Sequence, residues 1–198
     1  MFKDTNHIKI FSKIIIFFFL LNTNVNSSDI SDFQVEGLSI GDSLLNFASK
    51  KLIETHRYKN QSSNNKYIIY EADKFIEINQ YDYLGVSTKK NDPKYIITSI
   101  SGRIYYENLS ECKKLRKLII NDIKKIIKFD GSDKSKYKSQ DGKATVHTIQ
   151  LYLKPYPSVE SIVVNCIQHP KNSTTRNNLS VSINPEEYAY YLINDAYK

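Results

Sequence analysis

The sequence predicts an α+β domain, a mostly antiparallel sheet with about three helices packed on it. Three observations carry that expectation. Runs rich in β-branched and aromatic residues follow one another at hairpin-like intervals. One long segment, from Asn108 to about Lys128, has the periodicity of an amphipathic helix. Shorter periodic segments open and close the region, so the order reads helix, strands, helix, strands, helix, which suits helices set on one face of an antiparallel sheet.

The first helix is expected to start at Ser39-Ile40-Gly41-Asp42-Ser43, because Leu44, Leu45, Ala48 and Leu52 then recur at helical spacing. Asn60 to Lys66 is polar and reads as a loop. Strands are expected over Tyr67–Glu71, Phe75–Asn79 and Tyr83–Thr88. Lys89-Lys90-Asn91-Asp92-Pro93 is turn chemistry, and the chain resumes extended from Lys94 to Ser101, giving the clearest hairpin signal. Gly102 marks a bend or bulge before Arg103–Tyr106 continues extended.

In the long helix, Asn108 is the cap and Glu111 its reciprocal acid. Cys112, Leu115, Leu118, Ile119, Ile123, Ile126 and Ile127 form the apolar side; Lys113, Lys114, Lys117, Lys124, Lys125 and Lys128 form the other. The segment 129–143 holds Asp-Gly twice with Ser and Lys between, and reads as a mobile loop. Strands are expected at Ala144–Lys154, with His147, Ile149, Leu151 and Leu153 on one face, and at Val159–His169, with Ile162, Val164 and Cys166 on one face. After a polar loop, a short strand covers Leu179–Ile183. Asn184-Pro185-Glu186-Glu187 then opens a helix whose inner face is Tyr188, Tyr191, Leu192 and Ala196. Helix-strand-strand on both sides of segment 129–143 would fit an old duplication, and no residue-level repeat accompanies it.

Residues 1–27 have the three parts of a secretory signal peptide. Lys3, Lys9 and Lys13 precede the unbroken apolar run Ile14–Leu21, and a polar exit ends at Val25-Asn26-Ser27. Cleavage near Ser27 leaves a single domain over 28–198. The run is shorter than the roughly 20 apolar residues of a spanning helix; the alternative is an uncleaved segment anchoring the chain in the inner membrane. No cysteine lies at the cleavage point, the nearest being Cys112, so lipidation there is excluded.

The formal charge is +7, of which the leader supplies +2. Lysine outnumbers arginine 24 to 4, and Ile, Asn, Lys, Tyr and Phe are abundant while Trp is absent. An A/T-rich genome produces such a profile, and the scarcity of arginine removes the residue best suited to bidentate phosphate recognition. Nucleic acid is therefore not an expected partner. The lysine side of the long helix reads as a solvated face, with contact to anionic lipid, envelope polysaccharide or nucleic acid as the functional alternatives.

Cys112 and Cys166 are the whole thiol inventory. Both fall on apolar faces, so a helix packing on the sheet could join them; the alternatives are a disulfide and two buried thiols.

No residue constellation reaches a catalytic, cofactor or metal motif. Of His7, His56, His147 and His169, no two have zinc-ligand spacing. Cys166 and His169 fall on opposite faces of a strand. The six glycines stand singly, so there is no phosphate loop. Glu71 with Asp73, and Glu186 with Glu187, are acid pairs a charged chain produces by chance. Four Asn-x-Ser/Thr sequons, at Asn60, Asn108, Asn172 and Asn178, carry little information in so Asn-rich a chain. Tyr67, Tyr70, Tyr81, Tyr83, Tyr95, Tyr105 and Tyr106 lie in or beside the first strands, either as half-buried sheet positions or as an exposed surface for sugars or a protein.

Two stretches carry a resemblance. Val35-Glu36-Gly37-Leu38-Ser39-Ile40-Gly41-Asp42-Ser43-Leu44-Leu45 is one. Lys89 to Cys112 is the other, with Asn91-Asp92, Tyr95-Ile96-Ile97, Ile100-Ser101-Gly102 and Tyr106 ahead of Glu111-Cys112. Together they resemble small exported proteins of A/T-rich, SAR11-like marine alphaproteobacteria. The resemblance implies a Gram-negative periplasmic setting and supplies no activity or catalytic residues. The Gly37–Ser43 stretch is also similar to the helix start of small outer-membrane assembly lipoproteins, from which this chain departs in lacking their lipidation cysteine. The expected function is a non-enzymatic periplasmic or secreted module binding a protein or envelope component. The alternative is a small exported hydrolase whose site gathers His147 or His169 with a buried carboxylate.

Overall fold

The computed structural model describes residues 30–59 and 65–196. The expected leader and most of the 60–66 loop lie outside them. After a 3₁₀ turn at Ile30–Asp32 comes a miniature hairpin, β1 (Gln34–Val35) and β2 (Leu38–Ser39). Its two-residue turn holds Glu36 at φ 53° and Gly37 at φ 80°, the left-handed pair a type I′ hairpin turn requires. A 3₁₀ turn at Leu44–Asn46 and helix α1 (Lys50–Thr55) follow. Ser43 and Ser49 cap these by accepting from the Leu45 and Leu52 N–H groups. The single helix expected here is thus broken in two. Asp42 and Ser43 explain the break, because hydrogen bonds with Ile97 and Lys94 tie this backbone to the sheet.

Seven strands form one antiparallel sheet: β3 (Tyr67–Glu71), β4 (Tyr83–Lys89), β5 (Ile97–Tyr105), β6 (Gly131–Lys138), β7 (Thr145–Tyr152), β8 (Ser161–Gln168) and β9 (Asn178–Asn184). Their spatial order is β3-β4-β5-β9-β8-β7-β6, so two meanders meet at β5 and β9. Helix α2 (Leu109–Ile126) links them by crossing the sheet from β5 to the far edge. Helix α3 (Glu186–Asn194) follows β9. The α+β class with a mostly antiparallel sheet is what the sequence predicts.

The apolar alternation of the strands decides which face carries the core. Leu84, Val86, Ile100, Leu151, Ile162, Val164, Cys166, Leu179 and Ile183 turn to one side and are fully or nearly fully buried. Leu38, Leu44 and Ile53 from the N-terminal segment and Cys112, Ile120 and Ile123 from α2 close over them. Cys112 and Cys166 approach to a sulfur–sulfur distance of 2.01 Å, the separation of a disulfide. Gly102 serves space and not a bend, since β5 runs straight through it. A Cβ there would come within 2.4 Å of the Tyr81 ring.

Four segments depart from expectation. Segment 129–143 is not a loop throughout. Residues 131–138 form edge strand β6, paired along its length with β7. All eight residues of β6 are exposed, so no apolar alternation advertises it, and ladder hydrogen bonds alone define the strand. Phe75–Asn79 is not a strand: a 3₁₀ turn covers Ala72–Lys74, and the Glu36 carboxylate collects the N–H groups of Asn79, Gln80 and Tyr81. The second strand of the clearest hairpin starts late, because the Asp92 carboxylate accepts the Lys94 and Ile96 N–H groups and Tyr95 sits at φ 52°. Finally, the helices occupy both faces. α1 and α2 lie on the core side, and α3 lies on the other, held by its own cluster of Tyr67, Tyr188 and Tyr191.

Candidate functional site

Opposite the core, the sheet presents the alternate residues of its seven strands to a cleft of about 450 Å³. The register explains its shape. β4, β5, β9 and β8 contribute Gly85, Ser87, Ser99, Ser101, Ser182, Ser161 and Val163, all small, and these form a trough. Larger side chains stand around it: Tyr83 and Arg103 at one end, Gln150 and Tyr137 from β7 and β6, and Tyr188, Leu192 and Ile193 from α3 as a partial roof. Gly85 makes room for the Tyr83 ring, which a Cβ at that position would approach to 3.1 Å.

Hydroxyls and amides in the trough partner one another. Ser101 and Ser182 hydroxyls lie 3.0 Å apart, as do those of Ser87 and Tyr188. Ser99 donates to the Ile183 carbonyl at 2.9 Å. Gln150 Nε2 donates to Ser161 Oγ at 3.0 Å. The Asn165 Oδ1 is buried without a hydrogen-bond partner among the described residues. These groups can each donate or accept, and exchanging a neighbour for a ligand hydroxyl costs little net hydrogen-bond energy.

The electrostatics are unusual for so lysine-rich a chain. Among the described residues lining the cleft there is one charged side chain, Arg103, whose guanidinium lies 4.6 Å from the Tyr83 ring centre. Burial pushes the Tyr83 hydroxyl up to about 12, against the pull of Arg103.

The residues singled out from sequence fall elsewhere. His147 is on the core side of β7, beside α2; burial, then Lys113, Lys136 and Arg116, hold its imidazole below the usual range. Arg116 Nη1 donates to the His147 carbonyl. His169 lies past the end of β8, its N–H donating to Asn177 Oδ1. His56 closes α1 and faces Phe75. Cys112 and Cys166 are in the core, sealed from the cleft. Of the seven tyrosines, Tyr67, Tyr70, Tyr95 and Tyr106 are buried, whereas Tyr83 lines the cleft and Tyr105 continues its face. The α2 lysines are exposed on the side of the molecule away from the cleft. Among the described residues no group of three or more His, Cys, Asp or Glu is arranged to hold a metal ion. No described helix is long and apolar enough to cross a membrane.

The trough serines were not distinguished in sequence. Their signal was present as Ser99-x-Ser101-x-Arg103 and Ser180-x-Ser182-x-Asn184, small polar residues at every second position of strands whose other face is apolar.

No protein-family model matches the sequence, and no curated protein matches it. Among solved structures, the Ran-binding protein Mog1p of Saccharomyces cerevisiae is similar at a TM-score of 0.34 and 10% identity, over 70% of this chain and 82% of that one.

Proposed function

We propose that this is an exported, non-catalytic binding module, and that its ligand lies in the trough on the sheet face opposite the core. The observation that supports it most is the chemistry of the lining: hydroxyls, amides and tyrosines, with no histidine, lysine, cysteine or carboxylate among the residues that form the cleft. Hydrolysis by one of these serines would need a base within hydrogen-bond reach; the groups within reach are other hydroxyls and amides. Such a surface matches a polyhydroxylated ligand, whose hydroxyls exchange with Ser-Ser and Ser-Tyr pairs while its ring faces rest on Tyr83, Tyr137 and Tyr188. An envelope saccharide has that chemistry. Export rests on the signal-like residues 1–27, and the buried cysteine pair at disulfide distance is compatible with an oxidising compartment.

The chain has no Trp, so its emission comes from its 15 tyrosines, of which Tyr83, Tyr137 and Tyr188 line the cleft. Titrating the purified protein with envelope polysaccharide fragments should change that emission saturably. Ser101→Tyr, which fills the trough opposite Ser182, should abolish the response while leaving the circular dichroism spectrum intact. Full binding by that folded variant would show that the ligand sits elsewhere.

A further inference from the structure

Two of the four arginines in the chain stand at the same end of the sheet face that carries the trough, and both are stacked on tyrosines. Arg103 on β5 lies over Tyr83 at 4.6 Å, and Arg176, just before β9, lies over Tyr105 at 4.2 Å. Arg103 and Tyr105 are two residues apart on one strand and point to the same side, about 7 Å along it. The other two arginines have structural posts: Arg57 bridges to the β3 edge, and Arg116 is half-buried against His147 and Tyr106.

Neither Arg103 nor Arg176 forms an ion pair or donates a side-chain hydrogen bond among the described residues. The nearby acids are otherwise engaged or apart. Asp73 is paired with Lys74 at 2.8 Å and accepts the Leu84 N–H at 3.3 Å. Asp82 accepts the Tyr105 N–H at 2.7 Å. Glu71, also near Tyr83, pairs with neither arginine. α3 roofs the opposite end of the trough through Tyr188 and Ser87, so this end is open.

A guanidinium stacked on an aromatic ring keeps its planar fork oriented while its N–H groups face outward, which suits bidentate contact with a carboxylate or phosphate. Lysine, supplied so freely elsewhere in the chain, would offer a rotating point charge instead. We infer that the open end of the cleft is an anion site, and that the ligand is a saccharide bearing a carboxylate or phosphate seated between Arg103 and Arg176. The inference rests on the trough being the ligand site and adds the charge and orientation of what occupies it.

The test uses three probes of matched length on the purified protein: a uronate-containing oligosaccharide, the same oligosaccharide with its carboxylates reduced to hydroxymethyl groups, and a phosphorylated neutral one. Calorimetric titration at low salt should show an acidic probe binding at least tenfold tighter than the reduced one, and the uronate and phosphate arms tell which anion is preferred. The preference should fade as salt rises, since both arginines are exposed. Arg103→Gln with Arg176→Gln should erase the preference, bringing the acidic and reduced probes to the same affinity in that variant; the Lys pair should recover only part of it. Equal binding of acidic and neutral probes by the wild type, or an undiminished preference in the Gln pair, overturns the anion site and leaves the trough as the ligand site. Binding that Ser101→Tyr does not weaken, or no binding of any probe, overturns both.

Discussion

Reducing the Cys112–Cys166 pair removes a cross-link and little else, because both residues are fully buried and the side chains stay in place as thiols. The pair joins α2 to β8, and its sequence separation is 54 residues. On the chain-entropy account, closing a loop of that size lowers the entropy of the unfolded chain enough to stabilise the fold by about 4 kcal/mol. For a domain of this length each kcal/mol moves the midpoint by about 2–4 °C, so the reduced protein should melt about 8–16 °C below the oxidised one. Buried sulfurs are out of reach of reductant in the native state, so reduction is done in denaturant, followed by refolding with reductant present. Intact mass must then show a gain of two hydrogens, and far-UV circular dichroism gives the midpoints. A reduced protein, verified by mass, that melts within about 2 °C of the oxidised one would refute the reasoning. It would mean that α2 is held by its apolar face alone. The experiment also bears on compartment. A protein whose fold leans on this bond is at a disadvantage in a reducing cytosol, and one indifferent to it is not.

Three further outcomes follow from local geometry. Gly102→Ala places a methyl group 2.4 Å from the Tyr81 ring, and the overpacking should cost about 1–3 kcal/mol in urea unfolding, a loss that Tyr81→Leu in the same chain should partly restore. Asn108→Ala removes the acceptor of the Glu111 N–H at 3.0 Å and should lower stability by about 1 kcal/mol, read as a lower denaturant midpoint with unchanged slope. Glu187 is held down to about 2 by hydrogen bonds from Lys89 and Lys66, below its ordinary value of 4.5. Its contribution is therefore complete above about pH 4.5 and lost as the pH falls through 2; with all three side chains about half exposed it is worth under about 1 kcal/mol. Glu187→Gln should lower the melting midpoint slightly at neutral pH and by much less at pH 2; an equal loss at both would assign the effect to packing.

What the sequence disclosed and what it withheld divide along the two faces of the sheet. On the core face, apolar residues at every second position announce their own burial, and Ile162, Val164 and Cys166, or Leu151 and Leu153, could be placed without coordinates. The amphipathic α2 could be placed for the same reason, although its stripe proved narrower than the pattern implied, with Leu118 and Ile126 on the exposed side. The N-terminal helix failed because two serine caps lie six residues apart, and periodicity cannot tell one helix from two short turns docked on the same core. Segment 129–143 failed for a different reason. An edge strand exposed on both faces has no packing constraint to leave in its sequence, and Lys134, Lys136 and Lys138 are the residues that keep such an edge from pairing with another chain.

The trough was withheld because depth is a property of several strands at once. Ser87, Ser101 and Ser182 are each what a solvated strand face would carry. Only the register, which sets Ser101 beside Ser182 and Ser87 beside Ser99, turns small side chains on neighbouring strands into a floor with taller residues around it. Composition did contain one usable sign, which was read in the opposite sense. Scarcity of arginine argues against nucleic acid as a partner of the chain as a whole. In a chain that supplies lysine so freely, the few arginines mark places where a rotating ammonium would not serve, and two of the four stand stacked on tyrosines at one end of this sheet face, Arg103 lining the trough and Arg176 just beyond it. The informative quantity was thus position and not abundance. The lysines of α2 account for much of the net charge on the face away from the cleft, while the two arginines provide the oriented forks an acidic saccharide would meet.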